Sequence, residues 1–181
     1  MTRDSQDPAA LAQQALGVYQ KGQYDQAIEL FKAAQEAYTV VGNPSKAAEM
    51  ANNLSVALVQ SGRHMAALEA LEGSFNVFIE QGDMTSAAQA LGNEAAAYEG
   101  LQNWEKAEAL YQQAADRFAQ MSDAENQRYT LQALSRVRLR QGHAIEAVST
   151  MRGALETGAK NNWRTRLVRK LLSLPSRFLR P

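Results

Sequence analysis

The sequence predicts an all-α fold: four helical hairpins in tandem, closed by a ninth helix. Three observations predict it. One stretch is written four times: residues 22–34 (GQYDQAIELFKAA) return at 62–74 (GRHMAALEALEGS), 102–114 (QNWEKAEALYQQA) and 142–154 (GHAIEAVSTMRGA), 40 residues apart each time. A fixed period of this size marks a repeat array. Three columns stay in register without gaps: Ala27, Ala67, Ala107 and Ala147; Phe31, Leu71, Tyr111 and Met151; Ala34, Ser74, Ala114 and Ala154. Finally, alanine is abundant, β-branched runs are absent and the 181 residues hold only 4 prolines, which favours helix throughout.

Each element follows from its own signals. Asp7-Pro8 reads as an N-cap and first helical residue, so a first helix runs from about Pro8 to Lys21 and Gly22 ends it. The second carries Tyr24, Ala27, Ile28, Phe31, Ala34, Gln35 and Tyr38, the spacing of one helix face. Gly42-Asn43-Pro44 stops it and caps the third, which runs to about Ser61. The fourth carries Ala67, Leu71, Phe75 and Phe78, and Gly82-Asp83 is the next stop and cap. The fifth reaches about Leu101; the sixth starts at Asn103 and carries Trp104, Ala107, Tyr111, Ala114 and Phe118. Ser122 and Glu125 fit a capping box for the seventh, which runs to Gln141. The eighth reaches about Lys160. Asn161-Asn162 offers a cap for a ninth from Trp163, which must stop before Pro175.

The first helix of each pair keeps the period too. Leu11, Ala51, Leu91, Leu131 and Leu171 are 40 apart, and four residues on stand the small residues Ala15, Ser55, Ala95 and Ser135. Small side chains let two helices approach closely while the larger column fills the space between pairs. The expected organisation is a flexible 1–6, four units at about 7–42, 43–82, 83–121 and 122–160, a basic amphipathic capping helix at 161–174 and a tail at 175–181.

A formal net charge of zero conceals an asymmetry. Residues 1–159 hold 12 Lys+Arg against 19 Asp+Glu; residues 160–181 hold 7 Lys+Arg and no acid. There is no cysteine, which excludes disulfides and thiolate metal sites. The N-terminal residues are polar, without the apolar run of a signal peptide, and no window approaches the ~20 apolar residues of a membrane span. The expected location is cytoplasmic.

A small residue, a turn glycine, then Ala-x-x-x-aromatic-x-x-Ala resembles the tetratricopeptide repeat (TPR). The first copy reads Ala15, Gly22, Tyr24, Ala27, Phe31, Ala34; the third reads Ala95, Trp104, Ala107, Tyr111, Ala114 with Gln102 at the turn. The resemblance covers roughly 8–160 and implies a right-handed α-solenoid. Its usual period is ~34 residues, so each unit here is of a long, 40-residue type, similar to the repeats of kinesin light chains, and the expected repeat-end proline gives way to Asn43-Pro44, Gly82-Asp83 and Ser122-Asp123. Glu94 and Glu108 fall where apolar residues are common, so the third unit is expected to pack less tightly.

The resemblance implies a protein-binding scaffold, with no enzyme activity and no cofactor. It places the peptide groove on the first helix of each pair: Gln13, Leu16 and Tyr19; Glu49, Asn52, Asn53 and Val56; Gln89, Asn93, Ala96 and Glu99; Tyr129, Gln132, Arg136 and Arg140. Asn53 and Asn93 share one repeat position, and a side-chain amide donates to and accepts from an extended backbone at once. Arg136 and Arg140, one turn apart, suit an acidic ligand group. The Lys/Asn clamp that some family members use for a C-terminal carboxylate is not reproduced. Trp104 and Tyr111 sit at packing columns, and His64 and His143 read as surface turn residues. No phosphate loop, metal-ligand spacing or paired nucleophile is present, no catalytic or metal residue is assigned, and no nucleic acid is expected as a partner.

In the tail, Trp163, Leu167, Leu171, Leu174 and Phe178 recur at roughly helical spacing, with Arg164, Arg166, Arg169 and Lys170 between them. Three readings fit. The segment caps the last hairpin, lies on an anionic membrane surface as an assembly factor's tether, or docks as a basic plug on the acidic body in the same chain or a sister copy.

Overall fold

The computed structural model describes residues 7–157, and these are helical in nine spans: α1 (Pro8–Gln20), α2 (Tyr24–Val40), α3 (Pro44–Gln60), α4 (His64–Leu71), α5 (Ser74–Glu80), α6 (Met84–Gly100), α7 (Trp104–Gln120), α8 (Ala124–Arg140) and α9 (Ala144–Thr157). No strand occurs among the described residues. The expected ninth helix from Trp163 lies outside them.

The chain divides into two compact units between Leu110 and Tyr111, inside α7. In the first, α2 packs on α1 and α3, α4 on α3, α5 on α6, and α3 and α4 on α6. In the second, α8 packs against α9.

Every turn between hairpin helices is built alike. The residue that leaves the helix has a positive φ: Gly22 (76°), Gly42 (71°), Gly62 (78°), Gly82 (72°), Gln102 (59°), Ser122 (58°) and Gly142 (85°). Its successor donates a backbone hydrogen bond five residues back, Gln23 to Val18, Asn43 to Tyr38, Arg63 to Leu58, Asp83 to Phe78, Asn103 to Tyr98, Asp123 to Phe118 and His143 to Arg138, all within 2.8–3.3 Å. This is the Schellman closure of a helix C-terminus. The turns recur every 20 residues, half the sequence period, so turns within and between hairpins share one geometry. Gln102 and Ser122 carry a Cβ where the left-handed backbone disfavours one by roughly 1–2 kcal/mol. Gln102→Gly should therefore raise the urea midpoint by an amount worth ~1 kcal/mol; a lower midpoint would mean that the side chain at this turn outweighs its backbone strain.

Side-chain caps start α1, α3, α6, α7 and α8, while α2, α4 and α5 have none. Asp7, Asn43 and Asp83 accept from the backbone N–H of Ala9, Lys46 and Ser86 at 3.1, 3.1 and 2.9 Å. The Ser86 bonds hold the Asp83 carboxyl below the usual carboxylate range. The cap of α8 differs from expectation. Asp123, not Ser122, accepts from Asn126 N–H at 3.1 Å, because Ser122 is the left-handed turn residue, so no capping box forms.

The packing columns are buried. Ala15, Ala27, Phe31, Ala34, Ala67, Ala95, Ala107 and Ala114 have no exposed surface, and Ser55 fills its small-residue position equally completely. Met151 and Leu131 in the last unit are only half-buried.

The fourth expected helix is broken. Glu72 (φ −54°, ψ 125°) ends α4, and Gly73 in the left-handed region (φ 78°, ψ −17°) starts α5. Gly153 occupies the same repeat column inside the unbroken α9, so glycine permits the break without compelling it. The run Ser-Phe-Asn-Val-Phe-Ile that follows has weak helix propensity. After the break Phe78 is almost wholly buried against Ala48, Ala87 and Ala90.

Candidate functional site

On α3 the buried residues Ala48, Met50, Ala51, Asn52, Leu54, Ser55, Ala57 and Leu58 face other helices. They leave Glu49, Asn53 and Val56 as a half-open stripe. On α6 the burial of Ala87, Ala88, Ala90, Leu91, Ala95 and Ala97 leaves the equivalent stripe of Gln89, Asn93 and Ala96. Because α3 and α6 pack together, the two stripes belong to neighbouring helices of the first unit. Asn53, Gln89 and Asn93 have no side-chain hydrogen bond within the chain among the described residues.

Asn52 is placed differently from its neighbour. It is 6% exposed, and its Oδ1 is buried without a hydrogen-bond partner. Its backbone carbonyl accepts from Ser55 Oγ at 2.7 Å. Asn52 thus lies beneath the open stripe. Glu49 is engaged by Lys46 Nζ at 2.6 Å, and that contact pushes the Lys46 ammonium pKa upward.

In the second unit, Tyr129, Gln132, Arg136 and Arg140 follow one face of α8. Tyr129 (53%), Arg136 and Arg140 are exposed, and Gln132 is half-buried. The Arg128 guanidinium lies 4.4 Å from the centre of the Tyr129 ring, a cation–π contact. The opposite face is pinned: Ser135 Oγ donates to Ala147 O at 2.7 Å, and Arg138 donates to Thr150 Oγ1 and to Gln112 Oε1 at 3.2 Å. Arg164, Arg166, Arg169 and Lys170 lie outside the described residues.

Two features had no sequence signal. His64 is not a free surface turn residue: its imidazole lies against Gly100 at the end of α6, with Nδ1 buried and unpartnered. His143 is exposed, as expected. Glu94 is half-buried on α6, and burial raises its pKa against the opposing pull of Lys106, whose Nζ sits 4.8 Å from the centre of the Tyr98 ring.

The second feature is a pair of hollows beside α2. One, of about 550 Å³, is lined by Lys32, Gln35, Leu54, Leu58, Ala66, Glu69, Ala70 and Glu72. The other, of about 330 Å³, is lined by Gln35, Thr39, Gly42, Pro44, Ala47, Ala48, Ala51, Glu72, Gly73, Ser74 and Val77. Gln35 and Glu72 border both, and the α4–α5 break forms one wall of the second. Among the described residues no group of three His, Asp or Glu could hold a metal ion, and no helix is long and apolar enough to cross a membrane.

The chain matches the family model for the tetratricopeptide repeat over residues 7–80 and that for the soluble NSF attachment protein over 55–165. No curated protein matches it. Among solved structures, it is similar to BtubC (BKLC) from P. vanneervenii, with a TM-score of 0.74 and 18% identity over 89% of this chain and 70% of that one. It is also similar to the apo form of RapI, with a TM-score of 0.76 and 16% identity over 99% of this chain. This chain spans 50% of RapI's length. At these identities the likeness is one of fold.

Proposed function

We propose that this chain, which belongs to the tetratricopeptide-repeat proteins in the family of the soluble NSF attachment proteins, is a non-catalytic scaffold that grips a polypeptide segment along the open stripes of its repeat helices. One observation carries the reading. Asn53 and Asn93 occupy the same repeat position on adjoining helices, half-buried, with side-chain amides that bond to nothing within the described chain. Each amide can donate to a backbone carbonyl and accept from a backbone N–H, which is what an extended segment offers. Partial burial restricts the rotamers open to them and so lowers the entropy lost on binding. Val56 and Ala96, nearly one turn further on, provide apolar contact beside them. In the second unit, Arg136 and Arg140 suit an acidic side chain of a ligand.

The full-length protein should capture a partner that mass spectrometry identifies. Asn53→Ala together with Asn93→Ala should then weaken that partner's affinity more than about tenfold, equivalent to ~1.4 kcal/mol. Unchanged affinity with the helical signal intact would place the binding surface elsewhere.

A further inference from the structure

The two hollows beside α2 adjoin at Gln35 and Glu72, which line both, and together they are called the trench. From Lys32 to Thr39 it follows α2 for about two helical turns, ~10 Å. The smaller hollow is lined mainly by apolar groups, among them Ala47, Ala48, Ala51 and Val77, while the larger mixes Leu54, Leu58, Ala66 and Ala70 with the polar side chains of Lys32, Gln35, Glu69 and Glu72. Its far rim is acidic. Glu69 and Glu72 are exposed, and neither has an ion-pair partner among the described residues. The cation on the near rim, Lys32, is already shared with Glu29 at 3.9 Å. The trench therefore joins an apolar end to a polar end that carries two carboxylates without ion-pair partners among the described residues.

We propose that this trench is the docking site of the chain's own basic segment, residues 163–174. That segment is the complement in sequence: Trp163, Leu167 and Leu171 recur every fourth residue, cations stand between them, and residues 160–181 contain no acid. The acidic excess of residues 1–159 and the basic excess of 160–181 are equal in size, 7 charges each. Two apolar side chains four positions apart would be ~6 Å apart along a helix, so the trench takes two of them while the intervening arginines reach Glu69 and Glu72. The site is separate from the Asn53/Asn93 stripe, so occupancy need not block that surface.

The test uses the full chain, which has no native cysteine. Spin labels are placed at Thr39→Cys, on the trench rim, and Ser173→Cys. A docked segment gives a narrow distance population within about 25 Å in either direction of docking. That population should fall at least threefold in ~1 M salt, where the Debye length is about 3 Å. It should fall as far in Glu69→Lys/Glu72→Lys. Adding Arg166→Glu/Arg169→Glu to that variant should restore it, which separates lost docking from lost folding. Dilution with unlabelled protein tells whether the segment comes from the same chain or a second copy, and either result upholds the site. The proposal is overturned by the absence of a short-distance population, by one indifferent to the Glu69/Glu72 reversal, or by a segment label that becomes ordered only on anionic vesicles.

Discussion

Phe31→Ala should destabilise the protein by about 3–5 kcal/mol, the range for removing a fully buried aromatic ring. Phe31 has no exposed surface and stands in the core cluster with Leu11, Ala15, Ile28, Leu54 and Leu58. The reason for the large effect is the surrounding cast. Ala15, Ala27, Ala34, Ala57 and Ala67 are all buried in the same cluster, and alanines cannot extend into the space a lost ring leaves. The cavity therefore stays open, and its cost adds to the lost transfer energy. Met151 holds the same repeat column in the last unit but is only half-buried. Met151→Ala should cost clearly less, and the two urea midpoints compare the sites directly. Equal shifts would mean that the repeat columns are energetically equivalent and that burial does not rank them.

That comparison also marks how far the sequence could be read. The columns were legible because a repeat writes each constraint several times. Ala27, Ala67, Ala107 and Ala147 are all buried, and four copies make a position's need for a small residue visible. The caps were legible from their neighbours: a proline follows Asp7 and Asn43, and the turn glycine Gly82 precedes Asp83. The 20-residue rhythm of the turns was partly hidden. Five of its seven positions are glycine, but Gln102 and Ser122 adopt the same left-handed backbone with ordinary side chains. Ser122 also misdirected the cap assignment, since Ser followed three residues later by Glu imitates a capping box while Asp123 does the capping.

The break at Gly73 was not legible, for the reason Gly153 supplies: the same residue in the same column stays helical. Two things accompany the break at Gly73: the weak helix propensity of the run after it and the seating of Phe78 against Ala48, Ala87 and Ala90. The trench beside α2 inherits that opacity, because one of its walls exists only through the break. For the stripe proposed to bind a peptide, the period picked out Asn53 and Asn93 together, but it could not separate Asn53 from Asn52. Adjacent residues on a helix point about 100° apart, and only the packing of α3 shows that Asn52 turns inward.

Gly100→Ala carries the other large expectation, and its sign runs against local propensity. At the end of an ordinary helix, exchanging glycine for alanine gains up to ~1 kcal/mol. The backbone of Gly100 is no obstacle, since φ there is not positive. The obstacle is His64. A Cβ on residue 100 would overlap Cε1, Nδ1 and Nε2 of the imidazole, so the ring must leave its notch as a whole. His64 is the first residue of α4, tied to the turn at Gly62, and displacing its ring disturbs the seam of α4 and α6. The net effect should be a loss of about 1–3 kcal/mol, as for other overpacked sites. A double-mutant cycle isolates the cause. His64→Ala removes the ring, so Gly100→Ala made in that background should recover its ordinary helix-favouring sign. The coupling between the two changes should reach at least ~1 kcal/mol, as expected for residues in direct contact. A stabilised Gly100→Ala single variant, or additive effects in the double, would show that the imidazole moves aside freely and that the notch contributes nothing to the joining of these two helices.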